Sequence, residues 1–163
     1  MFRIRITAAL AFALCTGAAQ AQVNFDCVAP NAPALVNPVV LGNGTAGSVS
    51  TAALQSALNA GGPIRLNIGT STLSVTSELR ITRATILDAG GATLSGANAR
   101  RVLRIDNPDN LTYTFNLLNA TVANGSTPGG SGAGLWKPSG GPWQAVTIRI
   151  FNARFVDNTA IVT

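Results

Sequence analysis

The chain reads as a nearly all-β protein with one short helix, and three observations carry that prediction. From Ile64 onward the apolar residues recur with period 2. The breaks between apolar runs are rich in Gly, Asn, Asp and Ser, and none resembles a helical crossover. An apolar-Asn-Ala-x-apolar segment also occurs twice, with a step of 33 from Asn119 to Asn152.

Composition narrows the chemistry. The 163 residues are 47% hydrophobic, 6% aromatic and 10% charged, with 17 Gly, 8 Pro and no His. The charged share falls far below the ~25% of ordinary domains. Without His there is no Ser-His-Asp triad, no Cys-His pair and no histidine-ligated metal. A mean hydropathy of +0.31 points towards a membrane until the N-terminus is set aside.

Arg3 and Arg5 precede an apolar run, Ala8 to Leu14, that is too short to span a bilayer. Ala19-Gln20-Ala21 follows as a small-x-small site. This order reads as a signal peptide over residues 1–21, cleaved after Ala21, which makes the protein exported. Leu14 before Cys15 is too large for a lipoprotein signal, so no lipid anchor is expected. Cleavage leaves 142 residues (163 less 21), a net charge of about +3 (nine basic, six acidic) and one cysteine, Cys27. One cysteine cannot form an internal disulfide. No later apolar stretch approaches the ~18 residues of a spanning helix.

Residues 22–48 form a Pro/Asn/Gly-rich leader, punctuated by Pro30, Pro33 and Pro38, and are expected to be an extended, partly ordered arm. A helix of about ten residues follows. Ser50 or Thr51 caps its start, Leu54, Ala57 and Leu58 share a face, and Gly61-Gly62-Pro63 ends it. A helix that short needs something to pack on.

The strands follow in order. Leu79 and Ile81 alternate with Arg80 and Thr82. Leu111, Tyr113, Phe115 and Leu117 alternate with Thr112, Thr114 and Asn116. Val146, Ile148 and Ile150 alternate with Thr147 and Arg149. The repeat joins Leu118–Asn124 to Phe151–Asn158, and Thr85–Gly90 lies about one step upstream of Thr121. Such a period predicts a solenoid in which each unit is one coil.

Several stretches resemble the N-terminal part of secreted bacterial right-handed parallel β-helix proteins, the pectate-lyase-like solenoids. Residues 53–62, Ala-Leu-Gln-Ser-Ala-Leu-Asn-Ala-Gly-Gly, resemble their capping helix and first turn. Residues 77–82 and 84–96, the latter Ala-Thr-Ile-Leu-Asp-Ala-Gly-Gly-Ala-Thr-Leu-Ser-Gly, resemble their first coil. Asn119–Gly125 and Phe155–Ala160 look like their coil-closing segments. The resemblance covers roughly residues 50–163. It implies a right-handed parallel β-helix of about three to four coils over residues 49–163, with a short N-terminal capping helix.

Two departures stand out. Many relatives carry a second cysteine after the capping helix, where Asn67 and its neighbours stand here, so Cys27 lacks that mate. Relatives also continue for many more coils, which makes a domain truncated at its C-terminus the expectation.

For chemistry, the six acids left after cleavage are Asp26, Glu78, Asp88, Asp106, Asp109 and Asp157. Glycoside hydrolysis needs two carboxylates facing one bond. Asp106 and Asp109 instead flank Asn107-Pro108, a turn composition. Asp88 also reads as a turn residue. No catalytic residue, metal ligand or cofactor is therefore assigned. Arg80, Arg83, Arg100, Arg101 and Arg104 come nearest to a basic patch. If Arg80 and Arg104 stack on one face they can hold an acidic polysaccharide; the competing reading is a solvated face. Trp136 and Trp143 lie in a Gly-rich stretch, where exposed indoles can stack on sugar rings or pack the loop onto the coil. Trp136, Trp143, Arg80 and Arg104 are the candidate glycan-contact residues.

The expected role is a non-enzymatic surface or adhesin-like scaffold that contacts cell-surface glycans, outside the cell or in the periplasm. Nucleic acid is not an expected partner. One rival is the front end of a polysaccharide lyase or glycoside hydrolase. Another is a structural protein that assembles end to end through an open last coil.

Overall fold

The computed structural model describes residues 31–128, 130–141 and 145–161. The expected signal peptide, Cys27 and Trp143 lie outside these residues. Along the chain the elements are β1 (Val39–Leu41), α1 (Thr51–Ala60), β2 (Gly62–Leu66), β3 (Thr72–Ser74), β4 (Leu79–Ile81), β5 (Thr85–Asp88), β6 (Thr93–Ser95) and β7 (Leu103–Ile105). Then follow β8 (Tyr113–Leu118), β9 (Thr121–Ala123), β10 (Ser126–Pro128), β11 (Leu135–Trp136), β12 (Val146–Phe151), β13 (Arg154–Val156) and β14 (Thr159–Ile161).

Every strand pairing is parallel. The sheets run β1-β2-β5-β8-β12, β13-β9-β6-β3, β11-β7-β4 and β10-β14. Successive strands β2, β3 and β4 enter three different sheets, β5, β6 and β7 re-enter them in the same order, and β8 and β9 begin the next round. The step between stacked partners grows along the chain. It is 23 residues from Ile64 to Leu87, 30 from Leu87 to Leu117 and 33 from Leu117 to Ile150.

The apolar sides of these strands form one core. Leu79, Leu87, Leu94, Leu103, Phe115, Leu117 and Val122 are all fully buried in it. Short strands suffice because β2, β5, β6, β7, β8 and β9 are each paired on both sides and so leave few backbone groups unpaired.

The corners explain the repeated Asn-Ala. Asn119 and Asn152 adopt φ of 50° and 47°, a left-handed turn that Asn tolerates better than other side-chain-bearing residues. Their amides also stack. Asn152 Nδ2 donates to Asn119 Oδ1 at 2.8 Å, and Asn119 Nδ2 donates to Asp88 Oδ1 at 2.9 Å. The ladder sets the true alignment of the upstream copy. Asp88 pairs with Leu118, a step of 30 rather than the 33 between Asn119 and Asn152. Asp88 also accepts from Gly90 N at 3.0 Å, the geometry of a turn residue.

Helix α1 forms where the sequence places it. Ser50 Oγ accepts from Ala53 N at 3.1 Å, and Gly61 ends the helix at φ 75°. Leu54 and Leu58 are buried against the core. The helix also closes a sheet edge. Gln55 Oε1 accepts from Arg80 N at 2.8 Å, and Gln55 Nε2 donates to Arg80 O at 3.0 Å. One amide thus occupies the main-chain donor and acceptor that β4, the end strand of its sheet, turns outward.

Within the leader, β1 pairs Val39 with Ile64 and Leu41 with Leu66. Two expectations need correction. Leu111 is not a strand residue and is 42% exposed. The Asn107 side chain bonds the N–H and C=O of Leu111 at 2.9 Å each, holding a loop before β8. The Gly-rich stretch is not wholly loop, since β11 lies within it.

Tyr113 supplies a buried polar contact. Its hydroxyl reaches Ile81 O at 2.8 Å and Asp106 O at 2.7 Å. Burial, with the nearby Asp106 charge, pushes its pKa up to about 12 from 10.0. The neutral phenol is therefore favoured in the folded state. Its contribution is fully present below pH 10 and is lost as pH rises through about 12. Two units of difference correspond to about 2–3 kcal/mol. Alkaline unfolding should show this loss, and Tyr113→Phe should remove that part of the pH dependence. A pH profile identical in the two proteins would refute it.

Candidate functional site

The outer face of the β4-β7-β11 sheet brings three of the four candidate residues together. In β4 and β7, Leu79, Ile81, Leu103 and Ile105 point into the core. Period 2 then turns Arg80 and Arg104 outward. Arg80 pairs with Arg104, and Arg104 pairs with Trp136. Arg80, Arg104 and Trp136 therefore form one row across three strands, ~4.8 Å apart at the backbone. Trp143, the fourth candidate, lies outside the described residues.

Two further residues build the site. Glu78, just before β4, meets Arg101 Nη1 at 2.7 Å, Arg104 Nη1 at 3.5 Å and Arg80 Nε at 3.7 Å. Asp106, just after β7, meets Arg80 Nη1 at 3.4 Å. Three guanidiniums thus share two carboxylates, leaving a local surplus of one positive charge. Arg101 also donates to Gly132 O at 3.0 Å and Ser131 O at 3.1 Å, pinning the loop that leads into β11.

The indole belongs to the same network. The guanidinium carbons of Arg101 and Arg104 lie 4.5 and 4.9 Å from the centre of the Trp136 ring. Contacts of this kind attract a cation to the ring face and are stronger where water is partly excluded. Arg104 is thus held by Glu78 on one side and Trp136 on another, although its Nε is buried and has no hydrogen-bond partner among the described residues. Arg80 is the open member of the row, with its side chain 55% exposed.

Glu78 was legible as a neighbour of Arg80, because two residues along a strand share a face. The central role of Arg101 was not, since it lies outside any strand and is brought in by the loop it ties down. Arg100 leaves the basic patch altogether, as its Nη1 donates to Val75 O at 2.6 Å.

Among the described residues, no three His, Cys, Asp or Glu side chains converge as metal ligands, and no helix is long and apolar enough to cross a membrane. No protein-family model, no curated protein and no solved structure gives a significant match to the chain.

Proposed function

We propose that the chain is an exported right-handed parallel β-helix of three to four coils, capped by α1, that serves as a non-enzymatic surface scaffold contacting glycans. Its place of action is the cell surface, the extracellular space or the periplasm. Support for the coil comes from the repeated passage of the chain through the same parallel sheets. Support for export comes from the basic, apolar and small-residue order of residues 1–21.

The observation that carries the glycan reading is the row Arg80–Arg104–Trp136 on one sheet face. It combines an aromatic surface, an exposed guanidinium and a small positive surplus. Such a surface suits a polyhydroxylated, weakly acidic polymer. Guanidinium donors take ring hydroxyls and carboxylates, while the indole offers apolar contact to C–H faces. Strands and ion pairs already hold these groups, so little side-chain freedom is lost when a ligand binds.

The test is binding of the purified protein to an array of neutral and acidic polysaccharides. Retention should weaken roughly tenfold in Trp136→Ala, about 1.4 kcal/mol, and by less in Arg80→Gln, with circular dichroism unchanged in both. A protein that retains no polysaccharide, or whose binding survives both substitutions, would sink the reading.

A further inference from the structure

On the outer side of strands β2, β5 and β8 lies a cleft of about 260 Å³. It belongs to a different sheet from the Arg80–Arg104–Trp136 row. Alternation builds it. Ile64, Leu87 and Phe115 are fully buried in the core, so Pro63, Ile86, Thr114 and Asn116 turn outward. The register sets Pro63 beside Ile86, and Ile86 beside Asn116. Pro63 and Ile86 are half-buried and give the cleft an apolar floor, and the exposed Ala84 lies at its lip.

One side chain there lacks what burial demands. Asn116 turns outward yet is only 7% exposed, and its Oδ1 is buried with no hydrogen-bond partner among the described residues. An amide oxygen kept from water and left unpaired costs folding free energy, which an apolar side chain of the same shape would not. Asparagine is also a poor strand former. The other polar groups of the cleft differ. Thr85 Oγ1 donates to Arg83 O at 3.0 Å and is already engaged. Thr114 is half-buried and adds one hydroxyl. Among the described residues, no charged side chain lines the cleft.

This inventory selects a ligand. The cleft offers one amide with an acceptor end and a donor end, one hydroxyl and an apolar floor. The terminal torsion of an asparagine is soft, so Asn116 can turn either end to a ligand. A charged group would lose its hydration here without gaining a counter-charge. A bare sugar ring would bring more hydroxyls than these walls can satisfy. An acetamido group matches the inventory. Its N–H and C=O find partners in the amide and the hydroxyl, and its methyl rests on Pro63 and Ile86. The cleft is also smaller than the ~300–1,000 Å³ of sites for drug-sized ligands. That size suits one projecting group and part of the ring that carries it.

We propose that this cleft is a subsite for the acetamido group of an N-acetylated amino sugar, held by Asn116 and Thr114 over Pro63 and Ile86. A sugar presents that group as a terminal branch of a rigid ring. A peptide amide continues in both directions and would need an open-ended groove. The subsite uses no residue of the Arg80–Arg104–Trp136 row, so it stands or falls apart from the polysaccharide contact at that row.

Saturation-transfer NMR of the purified protein with N-acetylglucosamine trisaccharide tests it. Transfer should be strongest to the acetyl methyl protons. The glucose trisaccharide and N-acetylglycine amide should each bind roughly tenfold more weakly in titrations. Asn116→Leu keeps the volume and removes the unpaired oxygen. It should weaken binding roughly tenfold while thermal stability is unchanged or raised. Ala84→Trp, at an exposed position, should block the cleft and gives a second reading if the leucine variant folds poorly. Trp136→Ala should leave this binding unaltered. Absence of binding, equal binding of the glucose trisaccharide or of the simple amide, or survival of binding in both cleft variants would each overturn the proposal. So would loss of binding in Trp136→Ala.

Discussion

Phe115→Ala is expected to lower the unfolding free energy by about 3–5 kcal/mol. Phe115 is fully buried and is the largest such side chain in the core. In β8 it lies between Thr85 of β5 and Ile148 of β12. Its removal deletes apolar contacts and opens a void between stacked strands whose spacing is fixed by main-chain bonds. Backbone pairing on both sides prevents the collapse that would soften the loss. Urea unfolding should show the midpoint falling by about 2 M at a slope of ~2 kcal/mol/M. Phe155→Ala is the control, because Phe155 is 42% exposed and should cost ~1 kcal/mol or less. Equal losses at the two positions would mean that the buried and open ends of the stack are packed alike.

Glu78→Ala is expected to cost about 2–3 kcal/mol, somewhat less than the 3–5 typical of a broken, fully buried pair. The Glu78 carboxylate serves Arg101, Arg104 and Arg80, and it keeps 21% side-chain exposure. Arg101, only 14% exposed, loses its sole carboxylate partner among the described residues, and a poorly hydrated guanidinium is left behind. Arg80→Ala should change stability by ~0.5 kcal/mol or less, because water screens a side chain that is 55% exposed. Glu78→Gln should recover part of the loss, since an amide oxygen still accepts from Arg101 but carries no charge. Denaturation of the three variants side by side checks the order. A Glu78→Ala protein as stable as the parent would show that the carboxylate only decorates the surface.

Local regularity made much of the architecture readable. The helix at 51–60 announced itself through Ser50, the Leu54–Leu58 face and Gly61, each a near-neighbour signal. Strands β4, β8 and β12 announced themselves through period 2. The 33-residue step from Asn119 to Asn152 reappears as a direct side-chain hydrogen bond, because a corner of fixed shape brings the same amide to the same height in each coil. The upstream copy follows at a step of 30, not 33, for a different reason. Turns of different length leave the strand register unchanged while they alter the count between strands.

The site was half readable. Alternation turns Arg80 outward from its own strand, but its pairing with Arg104 came from the β4-β7 register. That Trp136 completes their row depended on β11, two residues long and set in a Gly-rich stretch with no alternation to reveal it. Arg101 reached the cluster through bonds to the carbonyls of Ser131 and Gly132, contacts about thirty residues away that no local pattern encodes.

By itself, then, the sequence determined which segments extend, which one coils into a helix, where corners fall and which side of each strand is apolar. These properties follow from backbone sterics and from burial with period 2, and they act over a few residues. Only the tertiary structure decided which strands lie beside one another. That choice placed Trp136 next to Arg104, put one carboxylate among three arginines, and closed one strand edge with Gln55. Stacking depends on the summed length of strands and turns and on core contacts between distant coils, which are long-range quantities.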